Sequence, residues 1–246
     1  MLDMWRYIHA RTVVRVMARL RGPVPDRSAG LQAFLHRTIE SRGGAFSILQ
    51  VGAYDGVSND SVHGLLDKHP QVHAILLEPQ PVPFAALEKR WQGSSRVVPI
   101  RAALSDSTGE RPLYVIADAY KHTHPFPDQV SSFYRSRVEL ACSRYVWRPS
   151  ADFITSIPVQ TIDWATLVRQ YGRFDFVAVD AEGYDAEILE QIDFGKDPPE
   201  LILFEHALLP RRVRARCEAR LRSHGYTLTV VNVYDTLATR SGSPGF

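Results

Sequence analysis

The chain has 246 residues, 45% apolar and 23% charged, with a net charge of +2, a balance that excludes a disordered or fibrous protein and gives no bulk charge for nucleic acid. The length suits one large domain with a core that needs no disulfide or metal, and the two cysteines, Cys142 and Cys217, form no CxxC pair. No apolar run reaches the roughly 20 residues of a bilayer span, and arginines interrupt the start where a secretory signal would be apolar, so a cytoplasmic protein is expected.

Residues 4–20 read as a basic amphipathic helix, with Met4, Ile8, Val13, Met17 and Leu20 on one side and arginines around them. Such a helix either packs on the domain or a second subunit, or lies on a membrane surface. Gly22-Pro23-Val24-Pro25 breaks the chain, and a second helix is expected over about 30–42 from Leu31, Phe34, Leu35 and Ile39. Residues 1–44 are thus expected to form a helical appendage, with the main domain over 45–246.

From Ala45 the pattern alternates. Strands are expected at 46–51, 72–77 and 97–102, with helices between them. The alternation resumes with strands at 174–179, 201–204 and 226–231, and a last antiparallel strand at 234–239. This rhythm predicts an α/β fold, a mostly parallel doubly wound sheet with helices on both faces. The stretch at about 112–162 breaks it. Two pairable strands (113–116 and 157–162) flank a segment rich in His, Tyr, Trp and Arg, read as a substrate-side insertion.

The first strand runs into Gly52-Ala53-Tyr54-Asp55-Gly56, glycines four apart at an expected strand-to-helix turn that admits close ligand approach. Ser58, Asn59 and Asp60 follow as caps. The second strand ends in Glu78-Pro79, an acidic residue placed to accept from ribose hydroxyls. A pyrophosphate would call for GxGxxG, so the spacing favours an adenosine ligand without one, S-adenosylmethionine. Ala103, Leu104 and Ser105, after the third strand, could flank an adenine. With Gln50, Gly52, Ala53, Tyr54, Asp55, Gly56, Asn59, Glu78, Pro79 and Asp180, they form the expected cofactor site.

The fourth strand ends in Asp180-Ala181-Glu182-Gly183-Tyr184-Asp185, at the edge where ligands bind in such sheets. Asp180 and Glu182 are candidate catalytic groups, while Asp185 and Glu187 read as a solvated helix face. The fifth ends in Glu205-His206, and His206 is the candidate proton acceptor. Asp163 reads as a helix N-cap. His122, His124, Ser132, Tyr134, Arg135 and Glu205 are the candidate acceptor-binding residues. No metal site is expected, although Glu182 could help bind a divalent cation.

Together Gln50-Val51-Gly52-Ala53-Tyr54-Asp55-Gly56, Leu77-Glu78-Pro79, Ala102-Ala103-Leu104-Ser105, Val159-Gln160-Thr161-Ile162-Asp163, Asp180-Ala181-Glu182-Gly183 and Glu205-His206 resemble the FkbM family of methyltransferases over about residues 45–232. The resemblance implies a Rossmann-like fold and S-adenosylmethionine as methyl donor, with S-adenosylhomocysteine as product. It also implies O-methylation of a sugar, glycolipid or natural-product scaffold. Two positions depart from the family's habit: Gln50 stands where an acidic residue is common, and Ala178 where a lysine is common. The expected partners are a small-molecule or glycan acceptor and no nucleic acid, with a membrane surface or a second copy of the chain open to the N-terminal helix. The competing readings are a nicotinamide-dependent oxidoreductase and a non-catalytic protein of the same fold that acts through that helix.

Overall fold

In the computed structural model, residues 26–58, 60–124, 126–143, 151–242 and 246 are described. The basic helix expected at 4–20, Asn59 and the Arg144–Arg148 part of the insertion lie outside them. The chain runs α1 (Ser28–Arg42), β1 (Phe46–Val51), α2 (His63–Lys68), β2 (Val72–Leu77), α3 (Pro81–Arg90), β3 (Val97–Ile100) and β4 (Ala103–Leu104). Next come β5 (Gly109–Ile116), β6 (Ser131–Ser132), α4 (Arg135–Cys142), β7 (Ile154–Ile162), α5 (Trp164–Tyr171), β8 (Phe176–Val179) and α6 (Asp185–Gln191). The chain closes with β9 (Leu201–Glu205), α7 (Arg211–Ser223), β10 (Tyr226–Val230) and β11 (Asp235–Arg240).

Seven strands form the main sheet, in the order β10-β11-β9-β8-β1-β2-β3. β11 is antiparallel to both its neighbours, and the other pairings are parallel. β1 is the switch point: β2 and β3 build outward on one side, β8 and β9 on the other.

Both faces of the sheet are buried, and the strand sequences show why. Alternate residues of apolar runs enter opposite layers. Leu49, Val51, Val177, Val179 and Phe204 pack under Trp164, Leu167, Ile188, Leu189 and Leu221 of α5, α6 and α7. Phe46, Ile48, Leu76, Phe176 and Ala178 pack under α1, α2 and α3. Truncating a fully buried ring such as Phe176 or Phe204 to alanine would cost about 3–5 kcal/mol.

α1 is not an appendage. Leu31, Phe34, Leu35 and Ile39 belong to the same core cluster as Phe46 and Ile48, because the apolar stripe of this helix finds its cover on the sheet. The late arginine run is also structural. Arg214 and Arg222 pair with Glu218 (2.7 and 3.3 Å), Arg216 pairs with Glu190 (2.8 Å), and Arg220 donates to the Ile192 carbonyl (3.0 Å). Among the described residues no helix is long and apolar enough to cross a membrane.

The third strand stops before Ala102. Ala102 N–H donates to the Ile100 carbonyl (2.9 Å), and the chain swings into β4 of a second sheet, ordered β4-β7-β5-β6. There the two strands expected to pair do so, from Gly109↔Thr161 to Ile116↔Ile154. Asp163 caps α5 as its position implies, its Oδ1 accepting from Thr166 N–H at 2.8 Å. Between β5 and β7, two 3-10 turns (Asp118–Thr123 and Pro127–Gln129), β6 and α4 lead over the carboxyl edge of the main sheet.

Candidate active site

The strand tips of β1, β2, β8 and β9, the start of β11, the first turns of α1 and the insertion enclose a cavity of about 880 Å³. It lies at the β1/β8 switch point, where ligands bind in open α/β sheets. Its size suits a nucleoside-sized ligand with a second molecule beside it.

The glycine loop forms one wall. Gly52 and Ala53 N–H both donate to the Leu77 carbonyl (3.0 and 2.9 Å). Gly52 has φ +79°, and a Cβ there would overlap the Asp180 carbonyl oxygen. Gly56 (φ +71°) faces away from the cavity, and its Cβ would sit 2.6 Å from Leu87 Cδ1 on α3. One glycine lets two strand tips meet, and the other lets the loop lie on a helix. The helix behind them begins at His63. Asp55 Oδ1 takes the N–H groups of Val57 and Ser58 (2.9 and 2.7 Å), and Asp60 Oδ1 those of Val62 and His63 (2.6 and 3.1 Å), so side chains hold the loop open before the helix starts.

Glu78 lies at the tip of β2 and is only 4% exposed. Oε2 accepts from Tyr54 N–H (3.0 Å) and Oε1 from Gln80 N–H (2.8 Å). The carboxylate is thus aimed by two backbone donors and keeps lone pairs for a ligand. Burial, helped by the charge of Asp180 and opposed by the two N–H donors, pushes its pKa up to about 7. Gln80 joins the wall to the insertion, its Nε2 donating to the Asp128 carbonyl at 2.7 Å.

The tip of β8 carries two successive left-handed residues, Glu182 (φ 49°) and Gly183 (φ 91°). Such strain in a non-glycine residue persists where its surroundings enforce it, which is common at functional sites. Asp180 opens to the cavity but is enclosed by protein on its other sides. Enclosure and the nearby Asp235 raise its pKa to about 6. Asp185 is fully buried, correcting the expectation of a solvated position. Its oxygens accept from Gly183 N–H (3.2 Å) and Glu205 N–H (3.1 Å), tying the β8 loop to β9. Glu205 lines the cavity with Oε2 buried and unpaired. Burial and the surrounding Asp180, Asp185, Glu182 and Asp235 hold its carboxyl well above the usual range.

Gln50, Gly52, Ala53, Tyr54, Glu78, Pro79, Ala103, Leu104, Asp180, Glu182, Glu205, His124 and Ser132 all line this one cavity. Asp55, Gly56 and Ser105 support it from behind, Ser105 being buried and held by Arg111 and Asp106. His206 is not among the lining residues. It is 6% exposed and packs against β11, with Nδ1 3.0 Å from Thr236 Oγ1. Strand alternation turns Glu205 toward the cavity and its neighbour away. Three of the candidate acceptor-binding residues also lie elsewhere. Arg135 donates to the Ile154 and Ala151 carbonyls (3.0 Å each), bracing α4. Tyr134 donates to Glu187 Oε1 (2.7 Å) beside a separate cavity of about 180 Å³, and His122 is exposed on a 3-10 turn.

Several lining residues were not singled out from the sequence: Gln80, Phe133, Tyr184, Asn232 and Asp235. Asp235 had a legible signal, since an antiparallel last strand beside β9 sets it opposite Glu205. Phe133 and Tyr184 pack edge to face (4.9 Å), with Arg111 over Phe133 (4.4 Å). Among the described residues no group of His, Cys, Asp or Glu is disposed to hold a metal ion.

The strand order, the glycine wall at the switch point and the buried strand-tip carboxylate define an S-adenosylmethionine-dependent methyltransferase. Residues 50–228 match the Methyltransferase FkbM domain, and the chain belongs to that family. None of the curated proteins matches the chain in sequence. Among solved structures it is similar to a putative caffeoyl-CoA O-methyltransferase from Staphylococcus aureus (11% identity, 97% of this chain and 98% of that one, TM-score 0.46). It is also similar to a methyltransferase from Geobacter sulfurreducens (14% identity, 94% and 87%, TM-score 0.43).

The residues present fit the cofactor. The loop leaves no room for a side chain at Gly52, Glu78 presents an aimed carboxylate, and the buried Gln50 Oε1 has no hydrogen-bond partner.

Proposed function

We propose that this protein methylates a hydroxyl on a carbohydrate or a similarly hydroxylated small molecule. The observation that carries the reading is the lining of the cavity. Beside Glu78 and the glycine loop, it carries Asp180, Glu182 and Glu205, the rings of Phe133 and Tyr184, and Ser131 and Ser132. Carboxylates and serines suit hydroxyl groups, and aromatic faces suit a sugar ring.

Glu78 takes the two ribose hydroxyls, while Ala103 and Leu104 flank the base. Bound there, S-adenosylmethionine supplies a methyl group already activated by its sulfonium. What remains for the chain is to orient the acceptor, keep water out and move one proton. The carboxyl groups divide this work by environment. Asp180, with a pKa of about 6, is ionised near neutrality and takes the acceptor's proton. Glu205, held protonated by burial and by its acidic neighbours, donates a hydrogen bond that orients the acceptor. His206 supports this strip through β11.

The test is release of S-adenosylhomocysteine in the presence of a panel of hexoses, uronic acids, sugar phosphates, catechols and primary amines, with the product's methyl position read by NMR. Methyl on oxygen of a polyhydroxylated acceptor is the expected result. Turnover with amines alone would overturn the reading.

A further inference from the structure

Gln50 is the penultimate residue of β1 and lines the cavity, in register with Leu76 on one side and Ala178 on the other. It is 6% exposed, and its amide is half used. Nε2 donates to Asp60 Oδ1 at 2.9 Å, while Oε1 is buried with no partner. Asp60 decides which way this amide faces. The same Oδ1 also accepts from Val62 N–H (2.6 Å) and His63 N–H (3.1 Å), and an oxygen that collects three N–H donors presents no proton of its own. Gln50 must therefore turn its NH2 toward Asp60 and its carbonyl oxygen away, and both residues line the cavity.

A buried carbonyl oxygen without a donor asks for one from whatever fills the cavity. The direction narrows the choice. Ala102 and Leu104 pack in the layer of Leu49 and Val51, whereas Gln50 alternates to the opposite side, that of Ile48 and Ala178. An adenine beside Ala103 and Leu104, on a ribose held by Glu78 at the tip of β2, leaves the cofactor's amino-acid end as the donor for this side.

We propose that Asp60 is a positioning residue: it locks the Gln50 amide with its oxygen toward the cavity, so that a neutral acceptor backed by a carboxylate receives the cofactor's α-ammonium. The inference rests on the cofactor reading above. It explains how a glutamine serves at this strand tip, since the negative charge stands one hydrogen bond further out.

Calorimetric titration with S-adenosylhomocysteine and with 5′-methylthioadenosine, which lacks the amino-acid end, tests it. Asp60→Asn keeps an oxygen for the Gln50, Val62 and His63 N–H groups but removes the negative charge behind the Gln50 amide. S-adenosylhomocysteine should then bind about tenfold more weakly, as for one hydrogen bond to a charged group, with 5′-methylthioadenosine unchanged. Gln50→Leu, which leaves the loop untouched, should show the same selectivity. Gln50→Glu sets two carboxylates against each other and should also weaken S-adenosylhomocysteine. The double variant Q50E/D60N should recover affinity, because the new amide donates to the new carboxylate. Equal weakening of both ligands in D60N would make Asp60 a loop brace only. Unchanged S-adenosylhomocysteine affinity in D60N, or failure of the double variant to recover, would overturn the proposal. A wild-type protein that bound neither ligand would overturn the cofactor reading itself, and the proposal with it.

Discussion

Glu78 gives the sharpest quantitative expectation. Its pKa of about 7 means that near neutrality the unliganded carboxyl is ionised in only part of the molecules. Ribose hydroxyls donate to the ionised form, so affinity should scale with the ionised fraction. That fraction is about one-eleventh near pH 6 and about ten-elevenths near pH 8, a roughly tenfold gain in affinity across the interval. 5′-Methylthioadenosine is the right probe, since it carries the ribose and no titrating amine. Calorimetry in buffers of different ionisation enthalpy should also show proton release on binding near pH 7. Glu78→Gln should flatten the pH dependence and weaken binding. It should also lower the melting temperature, because one carbonyl cannot serve both the Tyr54 and Gln80 N–H groups, and an unsatisfied buried donor costs about 1–3 kcal/mol. Affinity that is flat with pH in the wild type, or a pH dependence that survives in Glu78→Gln, would refute the assignment.

Gly52→Ala should abolish cofactor binding and lower the melting temperature, since the left-handed backbone alone costs about 1–2 kcal/mol for an L-residue and the methyl meets the Asp180 carbonyl. The unliganded protein should melt higher near pH 6 than near pH 8. Glu78, Asp180, Asp185, Glu205 and Asp235 all have raised pKa values, so the folded state holds protons that the unfolded state has lost, and stability falls as pH rises through the folded values. A melting temperature that climbs with pH over that window would contradict this. Asp180→Asn should remove turnover while leaving 5′-methylthioadenosine affinity within about threefold, far less than the loss of a charged hydrogen bond. His206→Ala should chiefly lower the melting temperature. Selective loss of turnover in the histidine variant would restore it as the proton acceptor.

Much of this architecture is legible in residue order. Apolar runs of strand length separated by helical spacing specify β1, β2, β8 and β9, and the glycine loop and Glu78 follow from their strand ends. What was illegible depends on side-chain direction and long-range pairing. Glu205 and His206 are adjacent in sequence and equally plausible as chemistry, yet strand alternation sends one to the cavity and the other to Thr236. Asp185 looks like an exposed helical acid because its partners, Gly183 N–H and Glu205 N–H, belong to a loop and a strand whose meeting no local pattern encodes. Arg135 and Tyr134 offer tempting recognition chemistry but are occupied by carbonyls and by Glu187. The helical stripe of α1 was visible, but its cover on the sheet was not.

β11 enters the sheet between β9 and β10, although it follows both in the chain. Asp235 therefore reaches the cavity only once the β10–β11 hairpin has zipped onto β9. A nascent chain that stops short of this hairpin holds the glycine loop and Glu78 but shows a bare, apolar β9 edge, an open template for pairing with other chains. Completion of this hairpin, acquisition of a ligand-competent pocket and escape from self-association thus fall on one event, and a truncation before Tyr226 should yield aggregates rather than a weakened enzyme.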